Sequence, residues 1–242
     1  MGYRLNERLP LIDAEPSNEG FYKALFSQAT QRINCRLEII REPKKRLLKK
    51  LQRGEIDFYP GFTFTKERSQ YTFYIENGLY DAFLAISHRS YPDVTSTKAM
   101  NGKVLLVAQG GPDYGAKKHG AIIRYVENLS LAEAVELLSE QKADFYIYNK
   151  ASIEFHLKQN PNAQIKRHPC CGKPVPMHLG FSKRSPHFSD VKNTSFDINK
   201  RINFDNLPSN LSVESNAYKL QQAIKEMREN GDIQKLYDVY YN

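Results

Sequence analysis

PKKRLLKKLQRGEIDFYPGFTFTKERSQYTFYIENGLY, residues 43–80, spells a short helix, a tight turn, a buried strand and a loop carrying one arginine. Pro43 suits a first helical position, where its missing N–H would have no partner anyway. Leu47, Leu48 and Leu51 share one face, and lysines and arginines cover the other. Gly54 is placed to end the helix in a left-handed conformation. Ile56–Tyr59 then suits a buried strand, which Pro60-Gly61 breaks. Thr63-Phe64-Thr65-Lys66-Glu67-Arg68 follows, so hydroxyls, loop amides and a guanidinium stand just past the strand's carboxyl end. In open α/β sheets ligands bind at that edge.

On the amino-terminal side, residues 3–12 hold a first strand and a turn closing on Leu9-Pro10-Leu11-Ile12. Phe21, Leu25, Ala29 and Ile33 recur at four-residue steps in a helix opening at Gly20, and Leu37–Ile40 reads as a strand. The resulting order β-α-β-α-β is that of a parallel sheet. Leu79–Ser87 is a long apolar run and a further strand. After the turn-rich HRSYPDVTST the pattern restarts: strand Val104–Ala108, a break at Gln109-Gly110-Gly111, a short helix over Tyr114–His119 and strand Ile122–Val126. Ser130 and Glu133 form a capping box for the next helix. Ala143–Tyr148 is a strand, and Asn149 is placed to cap a helix from Lys150 to Lys158. KKLQRGEIDFYPG and ELLSEQKADFYIY share a helix end, a turn and a strand opening Asp-Phe-Tyr, which implies two lobes of one construction. Met177–Ser182 is again a strand. Residues 186–215 are polar and irregular, with Phe188, Phe196, Ile198, Ile202 and Phe204 as isolated anchors. A helix from Ser215 to Glu229 is stopped by Asn230-Gly231, and a short amphipathic segment follows.

At 242 residues, 40% of them hydrophobic, the chain can bury a full core in one or two domains. No apolar run approaches the ~18 residues of a membrane span. No signal-peptide core follows Met1-Gly2, so the expectation is either a cytosolic protein or one whose export signal has been removed. The formal charge of +8 permits acidic partners. The basic residues are scattered, however, and the densest group, Lys44–Lys50, alternates with leucines as a solvated helix face does. Nucleic acid is therefore not the expected partner. Cys35, Cys170 and Cys171 offer no Cys-x-x-Cys spacing, so no metal site is expected. Free thiols are the expectation for all three, with a Cys170–Cys171 bond or a pairing with Cys35 as alternatives.

The ordered set of these features resembles the family 3 periplasmic solute-binding proteins, receptors of polar amino-acid ABC importers. The resemblance is carried by Gly20-Phe21-Tyr22 at the first helix, Leu51-x-x-Gly54-x-x-Asp57, Thr65-Lys66-Glu67-Arg68 for the family's Thr-x-x-Arg, Phe73-Tyr74 and Tyr80. Gln109-Gly110-Gly111, Ala143-Asp144 and the tail with Asn230-Gly231, Leu236-Tyr237 and Tyr240-Tyr241 complete it, over nearly the whole chain. It implies an α/β fold of type II, two lobes closing like a flytrap, each a mostly parallel sheet flanked by helices. The crossovers would be Leu79–Ser87 and Met177–Ser182, lobe one residues 1–85 and 183–242, lobe two residues 89–176.

The resemblance further implies that Arg68 grips a ligand carboxylate, helped by Thr63 and loop amides near Gly61. A guanidinium fork matches a carboxylate and stays charged when desolvated. Gly110 and Gly111 would add amides at a helix start. Where the family carries an Asp for the α-ammonium, this chain has Asn149. Lys44 replaces an aromatic platform and Leu11 a first-strand aromatic, while Tyr80, with Tyr59, Phe62 and Tyr74, could wall the site. The expected ligand is a small polar solute with one or two carboxylates, or a small peptide. The expected protein is a periplasmic monomer without catalysis or cofactor, serving an ABC permease. A sensor input domain of the same fold is the alternative, and a dehydratase-like enzyme a further one. His156, His168 and His178 have no carboxylate partner by spacing, which argues against the enzyme.

Overall fold

The computed structural model describes residues 1–241. Strand β1 (Gly2–Arg4) is followed by helix α1 (Phe21–Gln31), strand β2 (Ile40–Glu42) and helix α2 (Lys44–Arg53). β1 and β2 pair in parallel, Gly2 opposite Ile40. The strand expected over residues 37–40 thus starts at Ile40, and Leu37 and Ile39 pack on the core as irregular chain. α1 buries Phe21, Tyr22, Leu25, Phe26 and Ala29, the four-residue stripe read from the sequence. In α2 Leu47 and Leu51 are fully buried while Lys45 and Lys49 face outward. Pro43 is the residue just before this helix rather than its first residue.

Strand β3 (Phe58–Tyr59) is both shorter and differently paired than its neighbours. It lies antiparallel to the later strand that returns from the second half of the chain, as described below. β4 (Thr72–Asp81) and β5 (Phe83–His88) divide the apolar run expected as one crossover, and the chain passes at Ala82 from one sheet to another. β6 (Val104–Ala108), β7 (Ile122–Val126), α3 (Leu131–Ser139), β8 (Phe145–Asn149), α4 (Lys150–Gln159) and β9 (Ile165–His168) complete the second sheet, in the order β7-β6-β8-β5-β9. β6 runs parallel to β7 and β8, and the antiparallel neighbours are β5 and β9. The helix expected over 114–119 is only a 3-10 turn at Lys117–His119, because Tyr114 (φ 52°) and Gly115 (φ 77°) are left-handed and break it.

Alternation along these strands covers both faces of the second sheet. Ala85, Leu105, Phe145 and Ile147 join one apolar cluster, and their neighbours Ile86, Leu106 and Tyr146 join another with Ala134, Leu138 and Ile153 of the helices. That is the burial expected of a sheet wrapped on both sides. β10 (Val175–Ser182) then returns, pairing with β4 from Val175–Asp81 to Ser182–Thr72 and with β3 at Gly180–Tyr59. β11 (Asp190–Lys192) and β12 (Ser209–Leu211) form a small hairpin within residues 186–215. α5 (Asn216–Glu229) and α6 (Asp232–Tyr241) close the first core, where Leu220, Ile224, Met227 and Ile233 meet Phe21, Phe26, Phe58 and Phe181.

The repeated helix-turn-strand units have the same hydrogen bonds. Gly54 N–H donates to Leu51 O and Glu55 N–H to Lys50 O; Gln141 N–H donates to Leu138 O and Lys142 N–H to Leu137 O. Both are Schellman ends, with Gly54 at φ 78° and Gln141 at φ 57°. The aspartate opening each strand is tied down as well: Asp57 accepts from Ser185 Oγ (2.6 Å) and Asp144 from Val104 N–H (2.6 Å) and Tyr91 OH. Cys170 and Cys171 are joined by a disulfide, against the expectation of free thiols, and Cys35 is free. Among the described residues no helix is long and apolar enough to cross a membrane.

A Cβ at Gly54 would lie 2.4 Å from Arg184 O in a left-handed conformation. Gly54→Ala is therefore expected to lower stability by about 1–3 kcal/mol, read from urea unfolding; an unchanged midpoint would show that the turn relaxes freely.

Candidate functional site

A cleft of about 530 Å³ opens where the two sheets face each other. The first βα loop and α2 contribute Arg4, Arg8 and Lys44; the loop after β3 contributes Gly61, Phe62, Thr63 and Arg68. The opposite wall carries Val107, Gly111, Tyr114, Tyr148 and Asn149, and the crossovers add Asp81, Phe83 and His178.

Arg68 opens a 3-10 turn and is held by three contacts. Its backbone N–H donates to Thr65 Oγ1 (3.1 Å), Nη1 donates to Thr63 O (3.0 Å), and Cζ lies 4.6 Å from the centre of the Phe62 ring. The ring supports the guanidinium by cation–π attraction, and the remaining N–H groups are available to the cleft. Thr63 O also accepts from Tyr74 OH (3.2 Å), so the loop is tied to β4. Phe62 N–H donates to His178 O (2.6 Å), which removes that amide from the cleft.

Arg8 lies at the base of the cleft. Its Nη2 donates to Asn149 Oδ1, and its Cζ stands 5.4 Å from the centre of the Tyr148 ring. Gly61 has φ 62°, and a Cβ there would approach Tyr22 OH to 2.5 Å and Arg8 Nη1 to 3.0 Å. A glycine is thus required for the loop to close over Arg8. The Arg8 Nε–H is buried with no acceptor among the described residues. Burial, and then the charges of Arg68, Arg4 and Arg8, bring the Lys44 ammonium down to about 8.

Asn149 stands just before α4, but its side chain makes no cap bond; its oxygen is taken by Arg8. Asp81 supplies the cap instead. Its Oδ1 accepts from Ala82 N–H (2.8 Å) and from Ala151 N–H (3.3 Å) in the first turn of α4. Burial raises the Asp81 pKa, opposed by those amides, by the Arg8 charge and by the Asn149 amide.

Tyr80 does not reach the cleft. It is 58% exposed, and on a strand with period two its neighbour Asp81 takes the inward position. Gly110 also stays outside, and Gly111 lines the cleft as part of a turn in which its N–H donates to Ala108 O (2.7 Å). No helix starts there, so the expected helix-end amides are absent from this segment. Arg68, Thr63, Gly61, Lys44, Gly111 and Asn149 are brought together around the cleft. Arg4, Arg8, Asp81 and Phe204 were not found by sequence reasoning: each is a single residue without periodicity or motif, placed by long-range packing. Phe204 comes from the irregular 186–215 segment and stacks on His178, ring centres 3.7 Å apart and planes 1° from parallel. Burial lowers the His178 pKa, which leaves the ring neutral at pH 7.

The model of the bacterial extracellular solute-binding proteins, family 3, matches residues 8–242. The chain belongs to that family. The GluR0 ligand-binding core in complex with L-glutamate is similar over 100% of this chain and 96% of its own, with TM-score 0.75 and 13% identity. The arginine-, lysine-, histidine-binding protein ArtJ from Geobacillus stearothermophilus gives TM-score 0.74 and 17% identity over 99% and 94%. An ancestral arginine-binding protein bound to glutamine gives 0.71 and 19% over 99% and 96%. Among curated proteins none matches the chain. This family 3 chain has the two-lobed type II periplasmic-binding-protein fold. Among its described residues no group of three His, Cys, Asp or Glu is placed to hold a metal ion.

Removing the cap acceptor, Asp81→Ala is expected to cost about 1–2 kcal/mol in urea unfolding, and Asp81→Asn, which keeps an acceptor oxygen, much less. Equal losses in the two variants would show that the cap is not what Asp81 provides.

Proposed function

We propose that this family 3 protein is a non-catalytic receptor that captures a small carboxylate-bearing solute in the cleft for an ABC-type importer, on the outer side of the cytoplasmic membrane. The lobes would be residues 1–85 with 183–242, and residues 89–176, closing on the solute. The observation that carries the reading is the concentration of positive charge: Arg4, Arg8, Lys44 and Arg68 line one cleft. The acidic groups there are three: Glu76, paired with Arg228 (2.8 Å), Asp81, which accepts from backbone amides, and Asp205 beside Phe204. Crowded cations on low-dielectric walls favour an anion.

Arg68 is the primary anchor in this reading. It is pre-positioned by Phe62 and Thr63, so little side-chain entropy is lost when a carboxylate meets its fork. Thr63, Gly61 and Lys44 flank the same carboxylate. Asn149 does not serve an ammonium, because its oxygen already accepts from Arg8. Two of the three histidines considered as catalytic candidates are otherwise engaged: His168 bonds Ser87 Oγ (2.8 Å) and Val94 N–H (3.2 Å), and His178 stacks on Phe204.

Arg68→Ala is expected to weaken carboxylate binding on the order of 100-fold, the loss of two charge-assisted hydrogen bonds, with the thermal midpoint of the free protein retained. Isothermal calorimetry with glutarate and valerate checks this, and unchanged affinities would remove Arg68 from the role. Lys44 loses its proton as pH rises through about 8. Affinity for the same anions should accordingly fall between pH 7 and pH 9, and Lys44→Met should flatten that profile.

A further inference from the structure

We infer that the solute carries two anionic groups and that Arg8 receives the second one; this rests on the carboxylate reading of the cleft given above. Arg8 is a permanently charged group, half-buried in the lining of the cleft. It enters none of the ion pairs among the described residues. Its Nη2 is used by Asn149 and its Nε–H has no acceptor. A guanidinium in that state is an incomplete site, since a buried charge calls for a counter-charge and a buried donor for an acceptor.

The neighbourhood supplies this only in part. Asp81 attracts the guanidinium but forms no ion pair with it, and its Oδ1 is taken by Ala82 N–H (2.8 Å) and Ala151 N–H (3.3 Å) in the α4 cap. Asn149 offers a neutral oxygen only. Tyr148 offers a ring face at 5.4 Å, which steadies the guanidinium without neutralising it. The loop at Gly61 closes over Nη1, a Cβ there falling 3.0 Å from it, while Arg8 itself lines the cleft. Arg68 therefore stands at one station of the cleft and Arg8 at another, with Lys44 and Arg4 adding to the field.

A dicarboxylate satisfies both stations. An α-amino acid brings an ammonium into this field, and a monocarboxylate leaves Arg8 without a directly paired carboxylate. The geometry also assigns Asn149 a positioning role: its oxygen fixes the Arg8 fork, and a carboxylate in its place would itself neutralise Arg8.

The test is calorimetry on matched pairs differing by one carboxylate: succinate with butyrate, glutarate with valerate, adipate with hexanoate. For the wild type at least one dicarboxylate is expected to bind ten-fold or more tightly than its monocarboxylate partner. Arg8→Gln should abolish that preference, bringing each dicarboxylate down to the affinity of its monocarboxylate partner. Asn149→Asp should do the same by pairing with Arg8, which provides a second route should Arg8→Gln fail to fold. Equal affinities within every pair, or a preference that survives both variants, would overturn the assignment and leave the Arg68 anchor standing. Failure of all six acids to bind would overturn the carboxylate reading together with it.

Discussion

A guanidinium held between the two sheets sets the terms for the residues around it. Arg8 leaves the first βα loop, crosses the cleft and donates to Asn149 at the far side. Three local choices follow from that one interaction. The loop above it must turn through a left-handed glycine, because any side chain at Gly61 would collide with Tyr22 and Arg8. The Asn149 side chain is diverted from the helix it precedes. The exposed amides of α4 then fall to Asp81, at the point where the chain crosses between the sheets. A long-range polar contact, rather than local propensity, thus fixes the conformation of a loop, a helix end and a crossover.

The distribution of charge follows a similar division. Most ion pairs lie on the surface, as in Lys142 with Glu140 (2.7 Å) or Lys225 with Glu229 (3.8 Å), where solvent screening leaves each worth little. The cations of the cleft enter no such pair, and burial first, then their mutual repulsion, lowers the Lys44 pKa. The net charge of +8 thereby has two sources of different meaning. One is a solvated coat, and the other is a field concentrated in a concave space.

What could be read from the sequence was mostly what is local. The α2 stripe of Leu47 and Leu51, its Gly54 end, the Ser130 cap and the repeated Asp-Phe-Tyr strand openings all depend on neighbours within a few positions, and each formed. Parity misled at Tyr80, where a shift of one residue turns a wall into solvent. Gly110-Gly111 was read as a helix start, but left-handed residues a few positions later break the helix before it begins. The family resemblance located Arg68 and Asn149, yet not the contact between Asn149 and Arg8, which is separated by 141 positions and has no sequence signature. The bond between Cys170 and Cys171 was only one of several pairings the sequence allowed.

Residues 186–215 had no role in the sequence reading, and their placement gives them one. Phe204 packs against Phe64, Tyr74 and His178, while the β11–β12 hairpin that carries the segment is largely exposed. One wall of the cleft is therefore formed by Phe204 of an irregular segment that Phe188, Leu207 and Leu211 tie to the first core. On the far side of that wall lies a neighbouring cavity of about 350 Å³, sharing Glu76, His178, Phe204 and Asp205 with it. In the proposed reading, the room left for the solute is bounded in part by this surface excursion, itself anchored in the first core, so a change there touches recognition and folding together.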